Sequence, residues 1–87
     1  MALLEFYGKE CPHCITMMPL VDKVADELKV EIKKLETWHD PENEALRKEK
    51  DADGACGGVP FFYNEESGKA LCGESGYEEL KAWAEGK

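Results

Sequence analysis

The sequence feature that most constrains the fold is a pair of cysteines separated by two residues, Cys11-Pro12-His13-Cys14, between a strand pattern and a helix pattern. Residues 2–7 predict a buried strand that ends at Gly8. Proline suits the first turn of a helix, so Pro12 predicts a helix start at the cysteine pair. Apolar residues then recur at steps of three and four, which predicts a helix of about 17 residues with one apolar face. That face comprises Cys14, Met18, Val21, Ala25 and Leu28.

The rest of the chain predicts two more helices and three more strands. Residues 30–36 alternate as a strand, and Asp40-Pro41 is an N-cap followed by proline, so a short, largely solvated helix should follow. A glycine-rich loop at residues 53–58 precedes a hairpin of residues 61–63 and 69–72, and a last helix carries Tyr77, Leu80 and Ala84 on one face. The order is β-α-β-α-β-β-α. A right-handed crossover makes the first two strands parallel, which predicts one α/β domain over residues 1–87 with a four-stranded mixed sheet flanked by helices.

The charge balance excludes several classes of partner. The chain has 19 acidic and 11 basic residues, for a net charge of −8. So acidic a chain repels nucleic acid and anionic membrane surfaces. No apolar stretch approaches the roughly 18 residues of a membrane span, and no secretory signal pattern opens the sequence. We therefore expect a cytoplasmic monomer that binds neither nucleic acid nor membrane.

Four cysteines occur, at positions 11, 14, 56 and 72. A four-cysteine zinc site usually combines two close pairs, which the spacing of Cys56 and Cys72 does not match. We interpret Cys56 as a free loop cysteine, with a regulatory or second redox thiol as the alternative. We interpret Cys72 as a small packed hydrophobic residue. A Cys56–Cys72 disulfide is conceivable, but it requires Cα atoms within about 7 Å, which the sequence does not show.

The close pair is suited to thiol–disulfide exchange. The thiolate is the reactive species, and the positive end of a helix dipole favours a thiolate at Cys11. Cys14, one turn into the helix, lies close enough to attack a mixed disulfide formed at Cys11. Cys11 is therefore the candidate nucleophile and Cys14 the resolving thiol. The alternatives are a structural disulfide, whose short loop would stabilise little, or half of a metal site.

Two ionisable residues near the pair are candidates for supporting roles. A protonated His13 would favour the thiolate and the reduced form further; the alternative is a metal ligand. Glu5 shares a strand face with Leu3 and Tyr7, and burial there would raise the pKa of its carboxyl group. Such a carboxyl could take the proton of Cys14, whereas an edge-strand glutamate in water is the alternative.

Val59-Pro60 precedes the third strand and is a candidate substrate-binding segment. A cis peptide bond here would place the Val59 backbone beside Cys11, where it could pair with an extended substrate strand. From the residues alone, a trans proline at a strand start is the commoner case.

Over essentially its whole length the sequence resembles the thioredoxin superfamily. The resemblance rests on Leu4-Glu5-Phe6-Tyr7, the cysteine pair, Pro19 five residues after Cys14, and Gly58-Val59-Pro60. It implies a thioredoxin-like fold, a buried carboxylate at Glu5, a cis peptide before Pro60, and a glycine-containing loop at Gly73 that completes the substrate groove.

The sequence departs from the family pattern at three points. It lacks an extra N-terminal strand and helix, so its size resembles that of glutaredoxins. Pro12-His13 resembles the dipeptide of DsbA-type oxidases, and Glu10 stands where thioredoxins carry tryptophan. The glutathione-binding Gly-Gly-x-x-Asp pattern of glutaredoxins is poorly matched by residues 72–76.

The leading hypothesis is a protein thiol–disulfide oxidoreductase that needs no cofactor and no metal. Its partners would be protein disulfides or dithiols together with a reductase or an oxidase. The Pro-His dipeptide suggests an oxidising pair, whereas a cytoplasmic location suggests a reducing one. Alternatives are a glutathione-dependent, glutaredoxin-like reductase, a metal-binding module held by the cysteine pair, or a redox-inert domain that binds through Val59-Pro60.

Overall fold

The computed structural model describes residues 3–52, 54 and 56–87, and in this part of the chain the elements follow the predicted order. The strands are β1 (Leu3–Tyr7), β2 (Ile32–Glu36), β3 (Phe61–Asn64) and β4 (Ala70–Cys72), and the helices are α1 (Pro12–Leu28), α2 (Pro41–Lys50) and α3 (Tyr77–Ala84). Ala2 and Asp53, expected in the first strand and in the glycine-rich loop, lie outside the described residues. No described helix has both the length and the apolar content needed to cross a membrane.

The strands form one mixed sheet in the order β2-β1-β3-β4. β1 and β2 are parallel, β3 is antiparallel to β1, and β4 is antiparallel to β3. This arrangement follows from the crossover through α1 and the tight hairpin between β3 and β4. It confirms the predicted α/β fold with a four-stranded mixed sheet flanked by helices.

One face of the sheet packs against α1 and α3. Its buried residues are Leu3, Met17, Val21, Val24, Ile32, Phe62, Leu80 and Trp83. Of the predicted apolar face of α1, Val21 is buried and Ala25 packs against this core while half-buried. The prediction missed Met17 and Val24, which are buried, whereas the predicted Met18 is half-buried. Both stripes satisfy helical spacing, and contact with the sheet and α3 selects between them.

The other face packs against α2 around Leu4, Phe6 and Phe61. As predicted, α2 is largely exposed, but it buries Arg47, which is only 5 % exposed. The Arg47 guanidinium donates two hydrogen bonds to the Glu44 carboxylate, over 2.8 and 3.0 Å. It is also paired with Asp51 at 3.5 Å, so the buried charge has partners on two sides.

Three separate segments meet at one end of the sheet. β1 ends at Tyr7 and leads directly to the cysteine pair. Phe61, at the start of β3, pairs with Phe6 of β1 and with Cys72 at the end of β4. The segments 8–14, 56–60 and 72–74 are therefore close together, although 40 to 60 residues separate the first from the other two in the sequence.

Candidate active site

Cys11 occupies the N-cap position of α1. Its backbone is extended (φ −74°, ψ 114°), Pro12 follows in the first turn, and the Cys11 amide donates to the Gly8 carbonyl over 3.0 Å. The Cys14 amide donates a hydrogen bond to Cys11 Sγ over 3.3 Å. The sulfur thus accepts one of the N–H groups that have no partner within the helix. Cys11 Sγ therefore lies at the positive end of the α1 dipole.

Cys14 is completely buried one turn further along, whereas Cys11 is 4 % exposed, and both are free thiols. Burial, followed by the hydrogen bond with Cys11, raises the pKa of Cys14 to about 12. Cys14 is therefore a neutral thiol at physiological pH. It can act as a nucleophile only if another group accepts its proton during the attack.

Glu5 is the ionisable group in the core beneath this pair. Its side chain is fully buried, and neither carboxylate oxygen has a hydrogen-bond partner among the described residues. Burial raises the pKa of Glu5 to about 7, against the opposing attraction of Lys34. The negative charge of Glu5 also raises the pKa of Cys14, so the two groups interact electrostatically.

Lys34 lies opposite Glu5 on β2. Its Nζ is 2.6 Å from Asp22 Oδ1 on α1, and this hydrogen bond raises the pKa of Lys34. The positive charge of Lys34 lowers the pKa of Glu5, and the negative charge of Asp22 raises it. This trio was missed in the sequence, although alternation along β2 places Lys34 beside Glu5 once the two strands are known to be parallel.

The His13 ring lies against a carboxylate from a distant part of the sequence. Its Nδ1 lies 2.7 Å from Glu74 Oε1, and both side chains are about half exposed or more. Glu74 directly follows Gly73, in the loop after β4. The next residue, Ser75, donates its amide to the Met17 sulfur over 3.4 Å, so this loop packs on α1. A carboxylate beside the imidazole counteracts the positive charge that His13 was expected to place near Cys11.

The Val59–Pro60 peptide bond is cis. Pro60 is buried, and its carbonyl accepts a hydrogen bond from the Gly73 amide over 2.8 Å. The two predicted substrate-binding segments are thus joined to each other. They lie at the end of the sheet that carries Cys11, where Val59 and Gly73 are both half-buried.

Asp51, at the end of α2, anchors the loop before the cis proline. Its carboxylate accepts hydrogen bonds from the amides of Cys56, at 3.1 Å, and Gly57, at 2.8 Å. Its backbone carbonyl also accepts from the Gly54 amide at 2.8 Å. Because Arg47 is paired with the same carboxylate, the loop is fixed through the buried charges of α2.

Cys56 and Cys72 form a disulfide with Cα atoms 5.5 Å apart. The interpretation of Cys56 as a free cysteine is wrong, and so is that of Cys72 as a packed hydrophobic residue, since Cys72 is exposed. The bond connects the cis-proline loop to the end of β4. Sixteen residues separate the two cysteines in the sequence, and only the pairing of β3 with β4 brings them together.

Glu36, at the end of β2, is hydrogen-bonded to the loop that leads to Cys11. Its carboxylate accepts hydrogen bonds from the amides of Lys9, at 2.9 Å, and His39, at 2.8 Å. Partial burial opposes ionisation, but these amides and the His39 ring lower the pKa of Glu36 to about 2. Glu10 lies 3.4 Å from the other ring nitrogen of His39. Glu10 and Glu36 thus place two carboxylates beside the His39 ring.

Trp38 lies over the loop that leads to Cys11. It is 53 % exposed, and its indole covers Gly8, where an added Cβ would lie 2.2 Å from the ring. Glycine at this position therefore allows an aromatic side chain to lie against the loop that leads to Cys11. The chain lacks a tryptophan beside the first cysteine, and Trp38 supplies an exposed aromatic surface nearby.

The family model described as Thioredoxin matches residues 1–85 of the chain. No curated protein matches the sequence.

Proposed function

The chain belongs to the thioredoxin family, and we propose that it is a thiol–disulfide oxidoreductase that exchanges disulfides with protein substrates through Cys11 and Cys14. Family membership supports redox activity of the thiol–disulfide type in general. The observation that carries the specific proposal is the position of Cys11 Sγ at the helix N-cap, where it accepts the Cys14 amide. Cys14 and Glu5 lie buried behind it.

In the reducing direction, the Cys11 thiolate attacks one sulfur of a substrate disulfide. A mixed disulfide forms, and the other substrate sulfur leaves as a thiolate. Cys14 then attacks Cys11 Sγ, which releases the second substrate sulfur and leaves a Cys11–Cys14 disulfide. Two electrons pass from the pair to the substrate, and the reverse sequence donates a disulfide.

The second step requires that Cys14 lose its proton. Glu5, whose burial raises its pKa to about 7, is the proton acceptor in this proposal. A group with this pKa is partly ionised near neutral pH, as a general base must be. Lys34 keeps a fraction of the Glu5 carboxyl ionised despite its burial.

Substrate binding uses the backbone on either side of the cis proline. The proposal places an extended substrate segment against Val59, with Gly73 on the other side of the groove. Cys11 is only 4 % exposed. A docked segment that presents its disulfide directly to Sγ is therefore favoured over a freely colliding one.

The experiment is reduction of insulin disulfides by the wild type and two serine variants. Cys11→Ser should abolish turnover, whereas Cys14→Ser should accumulate a mixed disulfide that mass spectrometry detects. Full activity of Cys11→Ser would refute the mechanism. Turnover supported by thioredoxin reductase but not by glutathione with glutathione reductase separates this proposal from a glutaredoxin-like one. Stoichiometric zinc or copper on the reduced protein would favour a metal-binding module instead.

A further inference from the structure

The Cys56–Cys72 disulfide has no part in the exchange proposed above. It lies at the same end of the sheet as Cys11, because Cys72 pairs with Phe61 and Phe61 pairs with Phe6 at the end of β1. It also joins two elements of the substrate groove. Cys56 belongs to the loop that leads to Pro60, and Cys72 immediately precedes Gly73.

The two disulfide-forming pairs differ in exposure. Cys11 is 4 % exposed and Cys14 is fully buried, whereas Cys72 is exposed and Cys56 is half-buried. A thiolate in solution can therefore reach Cys72 Sγ without docking in the groove. Exposed disulfides are in general the more easily reduced and labile ones.

The surroundings allow this disulfide to open without unfolding the chain. The Asp51 carboxylate holds the amides of Cys56 and Gly57, and these backbone hydrogen bonds do not depend on the disulfide. Gly73 and Pro60 likewise remain joined by their backbone hydrogen bond. Opening the disulfide removes the covalent bond and leaves these hydrogen bonds in place. The loop before Pro60 should therefore become more mobile while the rest of the chain stays folded.

We propose that Cys56–Cys72 is a second redox couple of this protein, reducible by a small dithiol independently of Cys11 and Cys14, and that its disulfide form fixes the cis-proline loop against the end of β4. One thiolate of the dithiol attacks Cys72 Sγ, and the Cys56–Cys72 bond breaks with its electron pair on Cys56, which takes up a proton. The second thiol of the reductant then attacks the mixed disulfide and releases Cys72. Two electrons and two protons pass to the pair, and the reductant becomes a cyclic disulfide.

The first experiment isolates this couple. The variant Cys11→Ser/Cys14→Ser is equilibrated with mixtures of reduced and oxidised dithiothreitol, quenched with acid, alkylated and weighed by mass spectrometry. We expect a single two-electron transition while far-UV circular dichroism stays constant, and two transitions in the wild type. Peptide mapping of the alkylated wild type gives the same readout if the variant does not fold. A pair that stays oxidised until denaturant is added would overturn the proposal, and so would free thiols at Cys56 and Cys72 after oxidation.

The second experiment tests the groove and rests on the proposed function. In Cys56→Ser/Cys72→Ser we expect KM for a protein disulfide to rise about three- to tenfold while kcat changes less than about twofold, because interactions that only position substrate appear in KM. A parallel fall of kcat and kcat/KM, or no change, would refute the role in the groove. The first experiment uses a variant without Cys11 and Cys14, so its result is independent of the proposed activity.

Discussion

Replacing Glu5 with glutamine should change how the stability of this protein depends on pH. The wild-type side chain is fully buried, and burial raises its pKa from 4.5 to about 7. Between these values the folded state binds more protons than the unfolded state, so the free energy of unfolding falls as the pH rises. One pKa unit corresponds to about 1.36 kcal/mol, so ionisation of Glu5 should destabilise the wild type by about 3 kcal/mol above pH 7.

Glutamine keeps the size of the protonated glutamate but does not ionise. Urea unfolding from about pH 5 to about pH 8 should therefore show wild type and Glu5→Gln diverging, with the variant gaining about 2.5 kcal/mol relative to the wild type between these limits. Any constant cost of burying the amide shifts the variant equally at every pH. The slope of this stability difference against pH, rather than its value at one pH, therefore tests whether the pKa of Glu5 is raised in the folded state.

Glu36→Gln is a matched control, because the folded protein lowers the pKa of Glu36 whereas it raises the pKa of Glu5. The folded-state pKa of Glu36, about 2, and its ordinary value of 4.5 both lie below the tested window. Removing this carboxylate should lower stability throughout this window, because Glu36 is ionised in both the folded and the unfolded state there, and the loss should shrink in acid. A pH-independent difference between wild type and Glu5→Gln would show that Glu5 ionises normally, and would refute its role as proton acceptor for Cys14.

Three other substitutions test the surroundings of the site. Glu74→Gln frees His13 from its carboxylate partner, so equilibration with glutathione should show disulfide donation favoured about threefold, or roughly 15 mV; no shift or the opposite shift would contradict this. Gly8→Ala places a Cβ where the Trp38 ring lies, so the indole should move and its fluorescence should change, and an unaltered spectrum would argue against the contact. Asp51→Ala removes two hydrogen bonds to a charged acceptor and should cost about 3 kcal/mol in urea unfolding, whereas a loss below about 1 kcal/mol would mean that the loop is held elsewhere.

The fold and the cysteine pair could be predicted because their signals are local. The strand, the proline in the first helical turn and the helical spacing lie within 28 consecutive residues. They place Cys11 at the helix start whatever the rest of the chain does. The apolar stripe of α1 was less certain from the sequence, because Met17 and Met18 both fit helical spacing and only contact with the sheet distinguishes them.

The environment of the pair depends on contacts between distant segments. Glu74 is 61 residues from His13, and its only local signal is its position after Gly73. The contact of Trp38 with Gly8 joins residues that are 30 apart in the sequence, so no local pattern indicates it. Both contacts depend on which strand ends lie next to each other in the sheet.

By itself, the sequence of this chain determined a mixed α/β sheet, a cysteine at a helix N-cap and a carboxyl group in an apolar strand. These follow from spacing and hydrophobicity over short distances. Only the tertiary structure decided that Glu5 lies opposite Lys34 and interacts with Cys14, that Glu74 lies against His13, and that Cys56 and Cys72 are joined. Charges and sulfur atoms act over a few ångströms in space, and the pairing of β1 with β2 and of β3 with β4 brings these groups within that range.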